Sequence, residues 1–557
     1  MLPDVVMDSH PDIYNVAIVH WKSTRDALSR AIDEFLAASH TLQEILALPS
    51  HTPGSYHSLT QMIVSVNSEL DSIRLDAEKL ARAHLSLSRE RNRSEALVPV
   101  HRLPQEILST MMIAACARLT RSDREYDNQR YSSPFTLSSV CSSWRQVALN
   151  TPRIWSFIDV IAESQTPRDD TYRLPMLLVE RSGNAPLYLS IWDDTNPRIK
   201  DIRALNNSEL QDLIDFLEPL MPRVCVLDIA SYEPPTEIIP DILAMWVENH
   251  SPHLRKSLYV QDFYLKNLDA YEVGATPDTP LSEVQFNEFF QSVNRLVAQS
   301  CSISPTLTGN AGLVDLHLKD IDESYALAQT TLARLLYQCP NLETLVLLDC
   351  WVNESETTPN PVPLMKLKSI SLEFYDEPDS ITHVLPLLGA SSNLLDVSLS
   401  WANTPQFILD ARSFFQRTRI LRLYAATNGH DDNGLSPVAL LCPLPYLEEL
   451  VITRFDLHNE EPLTTLSIGM GSDLWPRLHT LYLNNSKTDP GFVSKLVKLA
   501  PSLQFLYCYQ LFRTCNEEDL SDDELESFQR LMAQGAPHIS FQDREPPRRA
   551  WVFVCGG

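Results

Sequence analysis

Eight short segments of the form L-x-x-L-x-L recur in the second half of the chain, and they restrict its fold more than any other feature. They are GLVDLHL (312–318), NLETLVL (341–347), KLKSISL (366–372), NLLDVSL (393–399), TRILRL (418–423), YLEELVI (446–452), RLHTLYL (477–483) and SLQFLYC (502–508). Their last apolar residues lie 29, 25, 27, 24, 29, 31 and 25 residues apart, which is typical of leucine-rich repeats. Each unit is predicted to hold a strand, a loop and a helix, and to bury its apolar face against its neighbours.

Weaker copies of the segment extend the pattern toward the amino terminus, at RVCVLDI (223–229) and HLRKSLYV (253–260). The fold class predicted from these copies is mixed α/β. A leucine-rich-repeat domain would span 176–557 as a curved solenoid with a parallel sheet. Its last part, about 516–557, would cap the array, with a final strand near Ile539 and Phe541.

The side chains between the core leucines are predicted to point to the open surface of the repeats. At mid-strand that row reads His317, Val346, Ser371, Ser398, Arg422, Val451, Tyr482 and Tyr507, with a flanking row of Tyr424, Thr453, Asn484 and Tyr509. Tyrosine is favoured in recognition surfaces. We therefore predict a protein-substrate patch around Tyr424, Tyr482, Tyr507 and Tyr509. The alternative is that the carboxy-terminal tail covers some of these tyrosines.

The amino-terminal part is predicted to be helical. Residues 1–23 resemble a loose lead-in, and 24–95 a helical hairpin or coiled coil. Steps of four and three residues from Leu59 give a heptad seam, made of Leu59, Ile63, Val66, Leu70, Ile73, Ala77, Leu80, His84 and Leu87. This seam, within 58–90, could form a dimer or pair with 24–47. The other alternative is a helix packed on its own domain.

The net charge restricts the kinds of partner that are expected, and the cysteines restrict the expected cellular location. The net charge of −27 argues against binding to nucleic acid or anionic membranes, which requires basic surfaces. Residues 91–160 depart from this, with nine arginines against six acidic residues. None of the ten cysteines forms a C-x-x-C pair, so reduced thiols and a cytoplasmic or nuclear location are expected. The first residues lack the pattern of a secretory signal, and no apolar run is long enough for a membrane span.

Motifs for catalysis are not found in the sequence. It holds no Walker, dinucleotide-binding, H-E-x-x-H or G-x-S-x-G motif, and it has only 14 glycines, so phosphate-cradling loops are not expected. No His and Cys group has zinc-ligand spacing. We predict no catalytic residues, no metal and no cofactor, and therefore a protein that is not an enzyme.

Between the predicted amino-terminal helices and the leucine-rich repeats, residues 98–158 contain the sequence signals of two successive helices. Leu103-Pro104 begins one helix, because proline is tolerated in a first turn. A second helix is predicted over about 135–149, with Val140, Cys141 and Trp144 on one face, and Thr151-Pro152 ends it. No histidine lies near Cys141 in the sequence, so Cys141 is interpreted as a packing residue and not as a nucleophile.

The stretch VPVHRLPQEILSTMM (98–112), followed by SVCSSWRQVALNTPRIW (139–155), resembles an F-box domain of the fungal type. The resemblance implies an F-box over 98–158 that holds a Skp-type adaptor, and through it a cullin–RING ubiquitin ligase. The repeats would then be the receptor for a protein substrate. The adaptor-binding residues it implies are Leu103, Pro104, Ile107, Leu108, Val140, Cys141, Trp144 and Arg145.

A different class of function stays open beside this one. The chain could be a ligase-independent leucine-rich-repeat scaffold that is assembled through its amino-terminal helices. The role of Trp144 is also open between a partner interface and the core, whereas Trp155 is expected to pack inside.

Overall fold

A computed structural model describes the chain in segments that fall into two compact units, Met1–Pro104 and Gln105–Gly557. The described residues are 11–46, 55–93, 99–116, 134–161, 172–192, 207–231, 238–249, 254, 256–262, 272–273, 282–303, 311–323, 326–357, 359–374, 379–389, 391, 393–400, 404–426, 442–457, 474–484, 486–488, 493, 500–509, 530 and 540–543. Residues 117–133 and most of the predicted cap over 516–557 lie outside them.

The first unit contains two long helices, α1 (Pro11–Leu46) and α2 (Ser55–Arg93), and a 3₁₀ turn at Pro99–Arg102. The predicted lead-in was too long, because α1 already begins at Pro11. Val16 and Val19 continue the helical spacing of apolar residues into this region, and proline suits the first helical position.

The predicted heptad seam of α2 is largely exposed. Ile63, Leu70, Ile73, Leu80 and Leu87 are 38–55% exposed, and Val66 is half-buried. The apolar side chains of α1, among them Leu28, Ile32 and Phe35, are exposed as well. The described residues therefore leave most of this apolar surface uncovered.

The second unit begins with short helices, α3 (Gln105–Cys116), α4 (Pro134–Ser139) and α5 (Ser142–Leu149), and a 3₁₀ turn at Pro152–Trp155. The single helix predicted over 135–149 is therefore divided. Cys141 is extended, with φ −159° and ψ 173°, and its Sγ accepts a hydrogen bond from the Trp144 N–H at 3.4 Å. A side chain that satisfies a free N–H at a helix start favours a new helix there over a continuous one.

One parallel sheet of 14 strands follows, with its strands in the order of the chain. Its strands are β1 (Phe157–Ile161), β2 (Leu187–Trp192), β3 (Val224–Ser231), β4 (Lys256–Asp262), β6 (Val293–Gln299), β8 (Asp315–Ile321), β10 (Thr344–Cys350), β12 (Ser369–Glu373), β13 (Leu394–Ser400), β14 (Arg419–Ala426), β15 (Glu449–Thr453), β17 (Thr480–Asn484), β19 (Phe505–Tyr509) and β20 (Ser540–Asp543). The predicted parallel sheet is confirmed, but it begins at Phe157 and not near residue 176.

Three short parallel pairs follow main strands: β5 (Glu272–Val273) with β7 (Ser302–Ile303), β9 (Leu327–Ala328) with β11 (Val352–Asn353), and β16 (Asp456–Leu457) with β18 (Lys487–Thr488). Helices lie between the strands, as expected for parallel neighbours, which need crossover connections. They are α6 (Arg173–Ser182), α7 (Asn207–Leu217), α8 (Ile238–Glu248), α9 (Glu283–Phe290), α10 (Gln329–Tyr337), α11 (Ser380–Val384) and α12 (Pro405–Arg417), with 3₁₀ turns at Glu218–Arg223 and Leu385–Leu387.

The sheet has two chemically different faces. Residues at the consensus leucine positions, such as Leu316, Leu345 and Ile370, pair in register and are buried. They form the leucine face. Alternate residues point the other way and form what we call the polar face.

The same turn recurs at the end of four strands of the sheet. A non-glycine residue with positive φ, between 48° and 61°, directly precedes a buried residue; the pairs are Ser300-Cys301, Asp320-Ile321, Asp349-Cys350 and Arg454-Phe455. The Cys350 thiol donates to the Leu318 carbonyl of the preceding strand at 3.2 Å. A positive φ is costly for residues other than glycine, so its recurrence at one place indicates a shared turn geometry.

β14 departs from the predicted register by two residues. Residues of β13 pair with residues 25 positions later up to Leu395 and 26 positions later from Asp396, so Leu399 pairs with Ala425 and not with Leu423. With Ala425 as the anchor, the two neighbouring spacings become 26 and 27 residues instead of 24 and 29. The repeat is therefore more regular in space than the leucine pattern alone indicates.

Candidate protein-interaction surfaces

The residues that the F-box resemblance implies for adaptor binding differ in their exposure to solvent. Leu103 and Pro104 are exposed at the end of the first unit. In the second unit, Ile107 and Val140 are 49% and 57% exposed, Arg145 is exposed, and Cys141 and Trp144 are half-buried. These residues are accessible to a partner to different degrees.

Leu108 does not fit the implied role. It is 5% exposed and forms a buried stripe with Met112 and Cys116. These positions are four residues apart and lie on one helix face. The side chain of Leu108 therefore belongs to the core of the second unit, and the exposed stripe of α3 starts one residue earlier, at Ile107.

Two exposed apolar residues were not predicted, Met111 and Leu149, at 50% and 49% exposure. Met111 lies four residues after Ile107, so both occupy one face of α3. That spacing is the sequence signal that could have found Met111. Leu149 is the last residue of α5, where periodicity alone does not separate an exposed position from a buried one.

The two tryptophans of this region have different environments. Trp155 is fully buried, its indole N–H donates to the Ala148 carbonyl at 2.8 Å, and the Phe135 ring contacts it edge to face at 5.3 Å. The Arg181 guanidinium lies over the Trp155 ring at 4.4 Å. Trp155 is thus a packing residue, as expected, whereas Trp144 retains solvent exposure.

The register places the predicted tyrosines in a row on the polar face. The middle row, paired from strand to strand, contains Val297, His317, Val346, Ser371, Ser398, Tyr424, Val451, Tyr482 and Tyr507. Tyr424 was predicted in the flanking row and Arg422 in the middle row, but the pairing of β14 places Tyr424 in the middle row and Arg422 in the row before it. Tyr509 pairs with Asn484 in the flanking row, as predicted.

The tyrosines interact most closely at the carboxy-terminal end of the sheet. Tyr482 and Tyr507 stack with ring centroids 4.5 Å apart and planes inclined by 11°. Tyr507 also stacks on Phe505 at 6.3 Å. Tyr482 is 9% exposed, whereas Tyr507 and Tyr424 are half-buried. Access to the stack is therefore mainly through Tyr507.

An ionic cluster lies in the row that precedes the tyrosines. Arg422 Nη1 is 3.4 Å from Asp396 Oδ2, and Arg422 Nε is 3.7 Å from Glu449 Oε2. The three residues come from adjacent strands β13, β14 and β15. Burial raises the pKa of both carboxyl groups, and Arg422 opposes this shift.

Three of the described cysteine thiols, those of Cys225, Cys339 and Cys442, do not have the properties of nucleophiles. Burial raises the pKa of Cys225 and Cys442 to about 11 and that of Cys339 to about 12. A thiol with such a pKa is protonated at neutral pH, whereas the thiolate is the reactive form. Within the described part of the chain, no group of three or more His, Cys, Asp or Glu residues could hold a metal ion.

A search of the described helices for membrane spans finds none that combines sufficient length with sufficient apolar character.

Comparisons with known proteins leave the family open. No protein-family model matches the chain, and no curated protein matches it. Among the solved structures that match is a protein from Bacteroides fragilis, a structural genomics target, with 14% identity over 62% of this chain and 74% of that chain. Its TM-score is 0.26, which is too low to support a conclusion about fold or function.

Proposed function

We propose that the chain is an F-box substrate-recognition subunit, which bridges a Skp-type adaptor of a cullin–RING ubiquitin ligase to a protein substrate. The observation that carries the proposal is the exposed apolar surface of α3 and of the α4–α5 junction, within the stretch that resembles an F-box. Ile107, Met111 and Val140 are each at least 49% exposed, although α3 packs its other face into the core. Exposed apolar patches of this kind mark interaction sites.

The sheet supports a receptor role as a leucine-rich-repeat solenoid. Its strands are parallel and sequential, and they alternate buried leucines with polar or aromatic residues. The turn with positive φ recurs at the same place in four units. Repeat arrays present extended binding surfaces, and the polar face supplies tyrosines for recognition.

A pull-down of the full chain with a purified Skp-type adaptor tests the proposal. We expect the wild type to bind, and Ile107→Asp combined with Val140→Asp to lower the affinity at least tenfold, because each aspartate would have to be desolvated at an apolar interface. The matched control is Leu409→Asp, which charges an equally exposed apolar residue of α12. Absence of wild-type binding, or an equal loss in the control, would contradict the proposal.

The second candidate function is a ligase-independent scaffold assembled through the amino-terminal helices. The exposed seam of α2 favours it, because heptad positions left uncovered in one chain can be buried against a second copy. This candidate is compatible with the same repeat surface but does not require the adaptor.

Light scattering on the full chain tests assembly through the seam. We expect twice the mass of one chain for the wild type and a monomer for Leu70→Asp combined with Leu80→Asp, since charges in the seam prevent its burial. The control changes two exposed leucines of α2 off the seam, Leu75→Asp and Leu85→Asp. A monomeric wild type, or a control that also dissociates, would rule out dimerisation through this seam.

A further inference from the structure

Six residues of the polar face form a cluster of aromatic rings, carboxylates and one guanidinium, which we call the tyrosine–carboxylate patch. Its members are Asp396, Arg422, Tyr424, Glu449, Tyr482 and Tyr507. They lie on five consecutive strands, β13 to β19, in two adjacent rows. Because neighbouring strands are about 4.8 Å apart, the patch is short enough for one extended peptide segment to contact all of it.

Within its ionic row the patch has more negative than positive charge. Among the described side chains of β13, β14 and β15 in that row, the Arg422 guanidinium lies 3.4 Å from the Asp396 carboxylate and 3.7 Å from the Glu449 carboxylate. Charge-assisted hydrogen bonds are usually 2.7–2.9 Å long, so both pairs are loose. The side chains of Asp396 and Glu449 are 39% and 18% exposed, so a partner can reach them. The carboxylates can therefore accept further donors.

The charges beside the patch have other contacts. Glu448 lies 3.7 Å from His479. Arg419 and Arg477 both place their guanidinium groups over the Tyr446 ring, at 5.5 and 5.6 Å. The contacts of Arg419 and Arg477 show that a tyrosine ring of this chain holds cations through the attraction between a cation and an aromatic face.

The aromatic row gives the patch its second recognition element. The stacked rings of Tyr482 and Tyr507 lie one and two strands beyond Glu449. Burial and the negative charge of Glu449 raise the pKa of the Tyr424 hydroxyl, so Tyr424 is close enough to Glu449 to sense its charge. Rings and carboxylates together suit a cation that carries several N–H donors.

We propose that the tyrosine–carboxylate patch binds a lysine- and arginine-rich segment of the protein substrate. The basic side chains would contact the Tyr507 face and hydrogen-bond to Asp396 and Glu449. The inference rests on the proposed receptor function and specifies its class of substrate. The net charge of −27 agrees with it, since a strongly acidic protein attracts basic partners over long range.

Fluorescence anisotropy with the full chain tests this inference. The probes are a short fluorescein-labelled Gly/Ser peptide that carries Lys and Arg, and two matched peptides with Gln or Glu at the same positions. We expect the basic peptide to bind at least tenfold more tightly than either control, and added salt to weaken its binding. Equal binding of the three peptides would overturn the inference.

Substitutions in the patch test whether the basic peptide binds there. Asp396→Asn combined with Glu449→Gln is expected to lower the affinity for the basic peptide about tenfold, and Tyr507→Leu about threefold. The matched control, Glu354→Gln combined with Glu356→Gln, removes two exposed carboxylates outside the patch and should change little. An equal loss in that control would mean nonspecific attraction to an acidic protein, which overturns the assignment to the patch.

Two further measurements are made. One distinguishes a substrate in the patch from the chain's own tail, and the other distinguishes failure of this inference from failure of the proposed function. Three arginines follow β20 in the sequence: Arg544, Arg548 and Arg549. Their replacement by Gln tests whether the chain's own tail occupies the patch. If the basic peptide binds only to that variant, the tail is the occupant and the substrate assignment is overturned. Adaptor binding is measured on the same preparation. If the adaptor binds and the basic peptide does not, the inference fails and the proposed function stands; the reverse result contradicts the proposed function alone.

Discussion

Trp155→Ala is expected to lower the free energy of unfolding by about 4 kcal/mol, the range for removing a buried tryptophan from a packed core. The side chain is fully buried between Phe135 and Arg181, and its N–H bond to the Ala148 carbonyl is lost with it. The cavity lies where the short helices meet the start of the sheet, because Trp155 lies two residues before the first residue of β1. Urea unfolding followed by circular dichroism measures the change.

Trp144→Ala is the matched control for this prediction. Trp144 is half-buried, so the same truncation should cost only about 1 kcal/mol. Trp155→Phe keeps a ring but removes the hydrogen-bond donor, and a cost of about 1–2 kcal/mol is expected. Equal losses for Trp144→Ala and Trp155→Ala would contradict the assignment of Trp155 to the core and of Trp144 to the surface.

Acidification is expected to destabilise the second unit through His317. Burial, together with the positive charges of Arg295 and Lys319, lowers the pKa of His317 to about 3. The unfolded chain takes up a proton near the ordinary value of about 6.5, whereas the folded chain does not. Stability is therefore retained above about pH 6.5 and lost as the pH falls toward 3, at about 1.4 kcal/mol per pH unit.

The comparison with His317→Gln isolates this effect, because glutamine keeps polar groups but does not titrate. Between pH 7 and pH 5 the wild type should lose about 2 kcal/mol more than the variant. The matched control substitution is His383→Gln, which changes a half-buried histidine of α11. A wild type and a His317→Gln variant with parallel pH profiles would show that His317 titrates normally in the folded state.

The proposals concern different surfaces and can fail separately. Adaptor binding depends on exposed apolar residues of α3 and the α4–α5 junction, dimerisation on the seam of α2, and substrate binding on the tyrosine–carboxylate patch. Each has a control variant of the same chemistry elsewhere in the chain. A chain that binds basic peptides and dimerises, but does not bind the adaptor, would favour the scaffold over the ligase subunit.

Local alternation in the sequence was sufficient to predict most strands of the sheet, but not β1, β2 or β6. Segments such as NLETLVL put leucines two residues apart, and a strand places such residues on one face, so the parallel sheet and the burial of its leucines follow from local pattern. The start of α3 directly after Leu103-Pro104 and the packing role of Trp155 were also predictable, because each depends on residues that are neighbours in the chain.

The tertiary structure decided what depends on contacts between distant segments. The pairing of β13 with β14, with its one-residue shift between Leu395 and Asp396, places Tyr424 in the middle row. Leu108 looks as available as Ile107 in the sequence, but only the packing of α3 separates them. Asp396, Arg422 and Glu449 come from three repeats, and no local pattern relates them. Periodicity fixes which way a side chain points, whereas its neighbours across strands depend on register, which is determined by pairing over the whole sheet.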